Sequence, residues 1–159
     1  MSSEIEPREV KKRYFSPITA AMLEWMVFNY DEWVPGNPYK KLANDQGINV
    51  LQVDQKLKEL EKIGKCDRTK AVTMAVKIAV SNGEIDNERI TKSPTSELSG
   101  PESVLVYEFV KGSTKSQICE NMNLSLDEMK TLNTKLMKKF NTRSRFLIVA
   151  WDTIQKLKS

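Results

Sequence analysis

The residues best suited to chemistry lie between positions 114 and 140, where lysines and threonines recur at close spacing. On a helix, Lys130, Thr131, Thr134, Lys135 and Lys138 would share one face. Ammonium groups and hydroxyls in that arrangement hold phosphate oxygens and contact polar base edges. No Asp or Glu is interleaved with them on this face, so nothing there would repel an anion.

The sequence offers little for other kinds of chemistry. It contains no histidine, which excludes His-based metal sites and Ser-His or Cys-His pairs. Its glycines are scattered and form no phosphate-binding loop. The two cysteines, Cys66 and Cys119, are typical of buried thiols in a reducing compartment. We therefore expect a protein that is not an enzyme and that uses no metal or other cofactor.

Two helices are predicted to position the lysine face. Thr114 with Gln117 and Ser125 with Glu128 each have the form of a capping box, which starts a helix. A turn at Asn123 separates the two starts. The second helix has a predicted buried stripe of Met129, Leu132, Leu136 and Phe140. A short helix, a tight turn and a longer helix form a helix-turn-helix.

A similar pattern occurs earlier, between positions 39 and 63. We expect a short helix from Tyr39 to Gln46, a turn at Gly47, and a second helix capped by Asn49 with Gln52. The second helix has a predicted buried stripe of Val53, Leu57, Leu60 and Ile63. Its exposed face mixes acids with lysines and is close to neutral, which predicts weaker contact with phosphates. Its candidate contact residues are Gln52, Gln55, Lys56 and Lys58.

Residues 118–148 resemble the LuxR/NarL (GerE-like) helix-turn-helix family, whose pattern runs roughly I-A-x-x-L-x-I-S-x-x-T-V-K-x-H-x-x-x-I-x-x-K-L-x-x-x-x-R. Matching positions are Ile118, Cys119, Met122, Leu124, Ser125, Met129, Lys130, Leu136, Lys139, Phe140 and Arg145. Residues 64–72 resemble the family's G-x-x-x-R-T-x-A-V. Two positions depart from the pattern, because Leu132 stands at the family's His and Asn133 at a usually apolar place. These departures predict a slightly rotated buried stripe.

The resemblance implies an all-α fold of two tandem four-helix helix-turn-helix modules joined by a linker. The expected divisions are a flexible arm (1–14), a divergent module (15–82), a linker (83–100) and a second module (101–159). It also implies a transcriptional regulator that binds duplex DNA, mainly through the later module. The candidate contacts there are Ser125, Lys130, Thr131, Thr134, Lys135, Lys138, Lys139 and Arg143.

The sequence also predicts the structure of three other segments. A first helix should start at Ser16 and Pro17, and residues 31–38 form a long turn-rich loop in which Trp33 is a lid over the core or a partner contact. Within the linker, residues 88–91 are expected to form a short strand or turn. The last helix, 143–158, has a wide apolar stripe that includes Trp151 and Ile154. We expect this stripe to form a homodimer contact or to pack the two modules together, and plain core is the other reading of Trp151.

Charge and composition limit the partners. The net charge is +4 and the pI about 9.0, with an acidic linker between two basic modules, which suits a phosphate backbone better than a membrane. No apolar run could cross a bilayer, and the N-terminus lacks the apolar core of a signal peptide, which predicts a cytoplasmic protein. The alternative function is a protein-interaction module of the same fold that binds and modulates RNA polymerase or another transcription factor.

Overall fold

The computed structural model describes residues 13–90 and 93–159, and these contain eight α-helices. Seven of them begin at a residue whose side chain caps the helix. The capping side chains, each of which accepts a backbone N–H of the first turn, are Ser16, Asn49, Asp67, Ser99, Thr114, Ser125 and Ser144. The predicted capping boxes at Asn49, Thr114 and Ser125 are confirmed. These caps satisfy N–H groups that helix geometry would otherwise leave without partners.

The helices fall into an early and a late half. The early half contains α1 (Pro17–Asn29), α2 (Tyr39–Gln46), α3 (Val50–Gly64) and α4 (Arg68–Ser81), followed by a 3-10 turn (Asn87–Ile90). The late half contains α5 (Gly100–Lys111), α6 (Lys115–Met122), α7 (Leu126–Phe140) and α8 (Arg145–Lys158). The described ranges contain no strand, and the predicted all-α class is confirmed. None of these helices has the length and apolar content needed to span a bilayer.

The two halves repeat the same series of helix lengths. Both α2 and α6 have 8 residues, both α3 and α7 have 15, and both α4 and α8 have 14. A left-handed residue ends each 8-residue helix, Gly47 with φ 67° and Asn123 with φ 54°. Gly and Asn adopt this conformation at the lowest cost. Positions in α3 and α7 can therefore be compared one by one.

Helix α8 lies in the centre of a core to which both halves contribute. It packs against α1, α4 and α5, and its contact with α4 is the most extensive between any two helices. Ile154 is 4% exposed, so it is covered within the chain and is not available for a homodimer contact. Trp151 is half-buried with its ring edge-on to Phe140, 5.1 Å between centroids. Of the two predicted alternatives for this stripe, the structure shows packing of the halves on each other.

The segment predicted as a linker is partly core. Ile85 and Ile90 are buried, and the 3-10 turn contacts α8. The strand alternative for residues 88–91 is therefore wrong up to Ile90, and position 91 lies outside the described residues. Glu84, also buried, accepts the backbone N–H groups of Tyr14 and Phe15 at 3.0 and 3.1 Å. The end of the predicted arm is thus anchored, and positions 1–12 of that arm lie outside the described residues.

The long loop between α1 and α2 is fixed to the late half by a buried ion pair. The Arg145 side chain is 1% exposed, and its Nε and Nη2 donate to the Glu32 carboxylate at 2.6 and 2.7 Å. Its Nη1 donates to the carbonyl of Ser113, and its guanidinium lies 4.6 Å from the Phe109 ring centre. Lys115 donates to the Glu32 carbonyl at 2.6 Å. These contacts hold the loop beside the late helix-turn-helix.

Candidate functional site

The start of α7 is fixed by a reciprocal cap. The Ser125 Oγ accepts the N–H of Glu128 at 3.1 Å, and the Glu128 carboxylate accepts the N–H of Ser125 at 2.8 Å. The hydrogen bond from the Ser125 N–H, and then the Ser125 side chain, hold the pKa of the Glu128 carboxyl below its usual range. Ser125 is exposed, and both its N–H and its hydroxyl oxygen are used in this cap.

The predicted lysine face is exposed on α7. Lys130, Lys135 and Lys138 form no ion pair with any described residue. The hydroxyls of Thr131 and Thr134 donate to the carbonyls four residues earlier, at 3.1 and 2.9 Å. Their oxygens can therefore act only as acceptors unless these bonds break. The result is a surface with three uncompensated ammonium groups.

The buried stripe of α7 is rotated away from Leu132, as the departures at Leu132 and Asn133 predicted. Asn133 and Met137 are buried, at 5% and 6% exposure, while Leu132 is only half-buried. Met129, Leu136 and Phe140 are buried as predicted. The rotation turns Lys130, Thr134 and Lys138 toward the early half of the chain, where they line a cleft.

The equivalent face of α3 is neutralised by its own carboxylates. Lys58 lies 3.1 Å from Asp54, and Lys56 lies 3.8 Å from Glu59. Asp54 also accepts from Arg68 at 2.9 Å, a hydrogen bond that lowers the pKa of this carboxyl. The Gln52 side chain is used in the cap of α3 and Gln55 is exposed. The four candidate residues therefore present no free cation cluster.

Two further predicted contacts have structural partners. The ammonium of Lys139 donates to the Glu102 carboxylate at 2.5 Å and to the Glu97 carbonyl at 2.9 Å. Its ammonium therefore serves to join α7 to α5, which corrects its assignment as a free DNA contact. Arg143 is exposed, and the only carboxylate near it in the described ranges is Asp31, at 3.8 Å. Arg143 thus remains available for an anion.

An open cleft of about 810 Å³ separates α7 from the end of α1 and the following loop. Its α7 wall includes Lys130, Thr134 and Lys138, whereas Thr131 and Lys135 do not line it. The remaining lining residues are Phe28, Asn29, Asp31, Trp33, Asn133, Met137, Asn141, Thr142, Arg143 and Leu147. Sequence reasoning missed this cleft, because it is formed by segments about a hundred residues apart. The length of the α1–α2 loop and the polar Asn133 in an apolar stripe were the available signals.

Two polar atoms beside the cleft have no hydrogen-bond partner among the residues that the structure describes. These are the Oδ1 of Asn133 and the Nε1 of Trp33. Trp33 is half-buried, and the Lys115 ammonium lies 4.2 Å from its ring centre. Its predicted role as a lid fits the position, since it covers the contact between the two halves. A buried polar group without a partner costs free energy, so both atoms are candidates for binding a ligand.

Comparison with protein-family models, curated proteins and solved structures finds no match to this chain. The LuxR/NarL resemblance therefore rests on the motif residues alone. Among the described residues, no cluster of His, Cys, Asp and Glu side chains is arranged to hold a metal ion.

Proposed function

We propose that the chain is a transcriptional regulator that binds duplex DNA through the exposed face of α7. In this proposal the halves are two tandem helix-turn-helix modules, each with a three-residue turn between its 8- and 15-residue helices. The late module is the main reader of the major groove, which admits one helix.

The observation that carries the proposal is the set of uncompensated cations on α7. Lys130, Lys135 and Lys138 are exposed and unpaired within the described chain, and Arg143 lies just beyond the helix. Cations of this kind displace the counterions of DNA, and this displacement favours binding. Since no Arg lies on the α7 face, base contacts are limited to Lys and Thr, and sequence discrimination by one module should be modest.

The test is binding of the full chain to a random-sequence duplex, measured by fluorescence anisotropy over a series of salt concentrations. The double variant Lys130→Ala/Lys135→Ala should bind more weakly, and its slope of log affinity against log salt should fall by about 0.9 for each phosphate that the variant no longer neutralises. The matched control, Lys56→Ala/Lys58→Ala on α3, should resemble the unmodified protein. No binding at low salt, or equal weakening in both variants, would contradict the proposal.

A second candidate function is supported by the surface of α3. Leu51 and Ile63 are exposed on this helix, at 65% and 73%, so the prediction that Ile63 belongs to the buried stripe is wrong. Lys56 and Lys58 are paired with carboxylates of the same helix. Such a surface suits a protein such as RNA polymerase or another transcription factor better than phosphates. Retention of such a partner at high salt, with its release in Leu51→Ser/Ile63→Ser, would support this function. Complete insensitivity to that substitution would rule out α3 as the contact.

A further inference from the structure

We propose that the cleft between α7 and the α1–α2 loop is a binding site for a small amphipathic anion, an organic acid with an apolar body. Its volume of about 810 Å³ lies within the range of roughly 300–1,000 Å³ that is typical of small-molecule sites. The cleft is therefore large enough for the body of such a ligand as well as for its acidic group.

The charges of the lining select an anion. Lys130, Lys138 and Arg143 contribute three cations, and Asp31 contributes the one carboxylate. Neither lysine has an ion-pair partner in the described ranges, and the contact between Arg143 and Asp31 is long, at 3.8 Å. A ligand with one or two negative charges would balance this excess without displacing a strong internal pair.

The apolar part of the lining indicates that the ligand has an apolar body. Phe28, Trp33, Met137 and Leu147 contribute carbon surface to the cleft. Inorganic phosphate would leave this surface uncovered, whereas an aromatic or aliphatic acid would bury it. The combination of cations with carbon surface therefore points to an amphipathic acid.

Asn133 supplies the second, independent observation. It is the eighth residue of α7, where the eighth residue of α3 is the fully buried Leu57. Asn133 is itself 5% exposed and lines the cleft, yet its Oδ1 has no hydrogen-bond partner in the described part of the chain. An apolar residue would suit folding better at this place. A ligand that donates a hydrogen bond to the amide oxygen through an O–H or N–H group beside its acidic group would account for the polar residue.

Occupancy of the cleft would also regulate DNA binding, a step that rests on the proposed function. Lys130, Thr134 and Lys138 belong both to the cleft and to the proposed DNA-binding face. Because one ammonium group cannot fully serve two anions, ligand and DNA would compete.

The test uses 1-anilinonaphthalene-8-sulfonate, an aromatic sulfonate whose fluorescence rises when it binds, titrated into the full chain without DNA. We expect displacement by benzoate or by phenyl phosphate, and the stronger competitor identifies the preferred acidic group. Asn133→Leu should weaken probe binding about tenfold and Lys138→Ala about threefold. The matched control is Lys62→Ala, the same helix position in α3, and it should change nothing.

Unchanged probe binding in both cleft variants would overturn the proposal, as would failure of both acids to displace the probe. Lys138→Ala alters only an exposed side chain, so it keeps the test valid if Asn133→Leu changes the fold. A second titration adds benzoate and phenyl phosphate to the protein–DNA complex. Probe binding without an effect on DNA would uphold the site and overturn only the regulatory step, whereas absence of DNA binding would affect only the proposed function.

Discussion

Helices α3 and α7 occupy the same place in the two halves of the chain, yet the exposed face of α3 is close to neutral and that of α7 is basic. Both are 15 residues long, begin with a capping box and end at a left-handed residue. At the fifth and tenth positions, α3 has Asp54 and Glu59 where α7 has Lys130 and Lys135. The residues that build the helix are thus repeated, while the residues that meet solvent have diverged.

This comparison separates what stabilises the fold from what determines binding. Capping and apolar packing are satisfied in both halves, so the charge difference is not needed for either helix to form. Exposed lysines without partners add little to stability. Three such lysines lie together on α7, whereas Lys62 is the one lysine of α3 without an ion pair among the described residues, and the proposed binding of an anion rests on this cluster.

The largest expected difference between the halves is the free energy of unfolding that is lost when the first arginine of the last helix is replaced. This residue is Arg68 in α4 and Arg145 in α8. Arg145 is buried against Glu32, whereas the Arg68 side chain is 29% exposed beside Asp54 and Glu61. Arg145→Ala should lower the free energy of unfolding by about 3–5 kcal/mol, because it leaves the Glu32 carboxylate unpaired. Arg68→Ala should cost about 1 kcal/mol or less.

Urea unfolding of the two variants measures their free energies of unfolding. Adding Glu32→Gln to Arg145→Ala should recover part of the stability, since the unpaired charge is then removed. Equal costs for Arg68→Ala and Arg145→Ala would show that the two halves are not held together by the buried pair.

Lowering the pH should destabilise the late half more than the early half, because the late half contains the buried carboxylate of Glu102. The hydrogen bond from Lys139, and then that from the Ser99 N–H, hold the pKa of this buried carboxyl below its usual value of 4.5. A carboxylate with a lowered folded-state pKa stabilises the fold above the unfolded-state pKa, and this contribution disappears as pH falls through the folded-state pKa. Glu102→Gln should therefore cost about 1–2 kcal/mol at pH 7 and flatten the decline of stability below pH 4.5.

The check is the free energy of unfolding in urea from pH 7 down to pH 3. The control is Asp54→Asn in the early half, where the carboxylate is 33% exposed and its pKa is also lowered. Its effect on the slope should be smaller because solvent screens the pair. A steeper acid dependence in Glu102→Gln than in the unmodified chain would contradict the assigned sign.

Sequence reasoning could locate the helices because helix starts and ends are encoded locally. The cap at Thr114 and its partner Gln117 are three residues apart, and the left-handed Asn123 lies beside the helix that it ends. The lysine face followed from the same helical spacing. These features need no knowledge of distant segments.

The contacts between the halves had no such local signal. Glu32 and Arg145 are 113 positions apart, and Lys139 and Glu102 are 37 apart. Nothing in the spacing of a single charged residue tells which distant charge will face it. Two local irregularities did mark the cleft, the extra length of the loop containing Trp33 and the polar Asn133 in an apolar stripe. Both became interpretable only when the fold brought them together.

The smallest expected effect is a gain in stability at position 133. Replacing Asn133 with leucine, the residue at the same place in α3, removes a buried amide whose Oδ1 has no partner within residues 13–90 and 93–159. The free energy of unfolding should rise by about 1 kcal/mol. Urea unfolding measures this change, and a decrease in stability would show that the amide is satisfied in the folded chain. A gain in stability together with weaker binding of the aromatic sulfonate would mean that the asparagine serves the cleft at the expense of the fold. Binding would then explain why the two halves differ in their interior as well as on their surfaces.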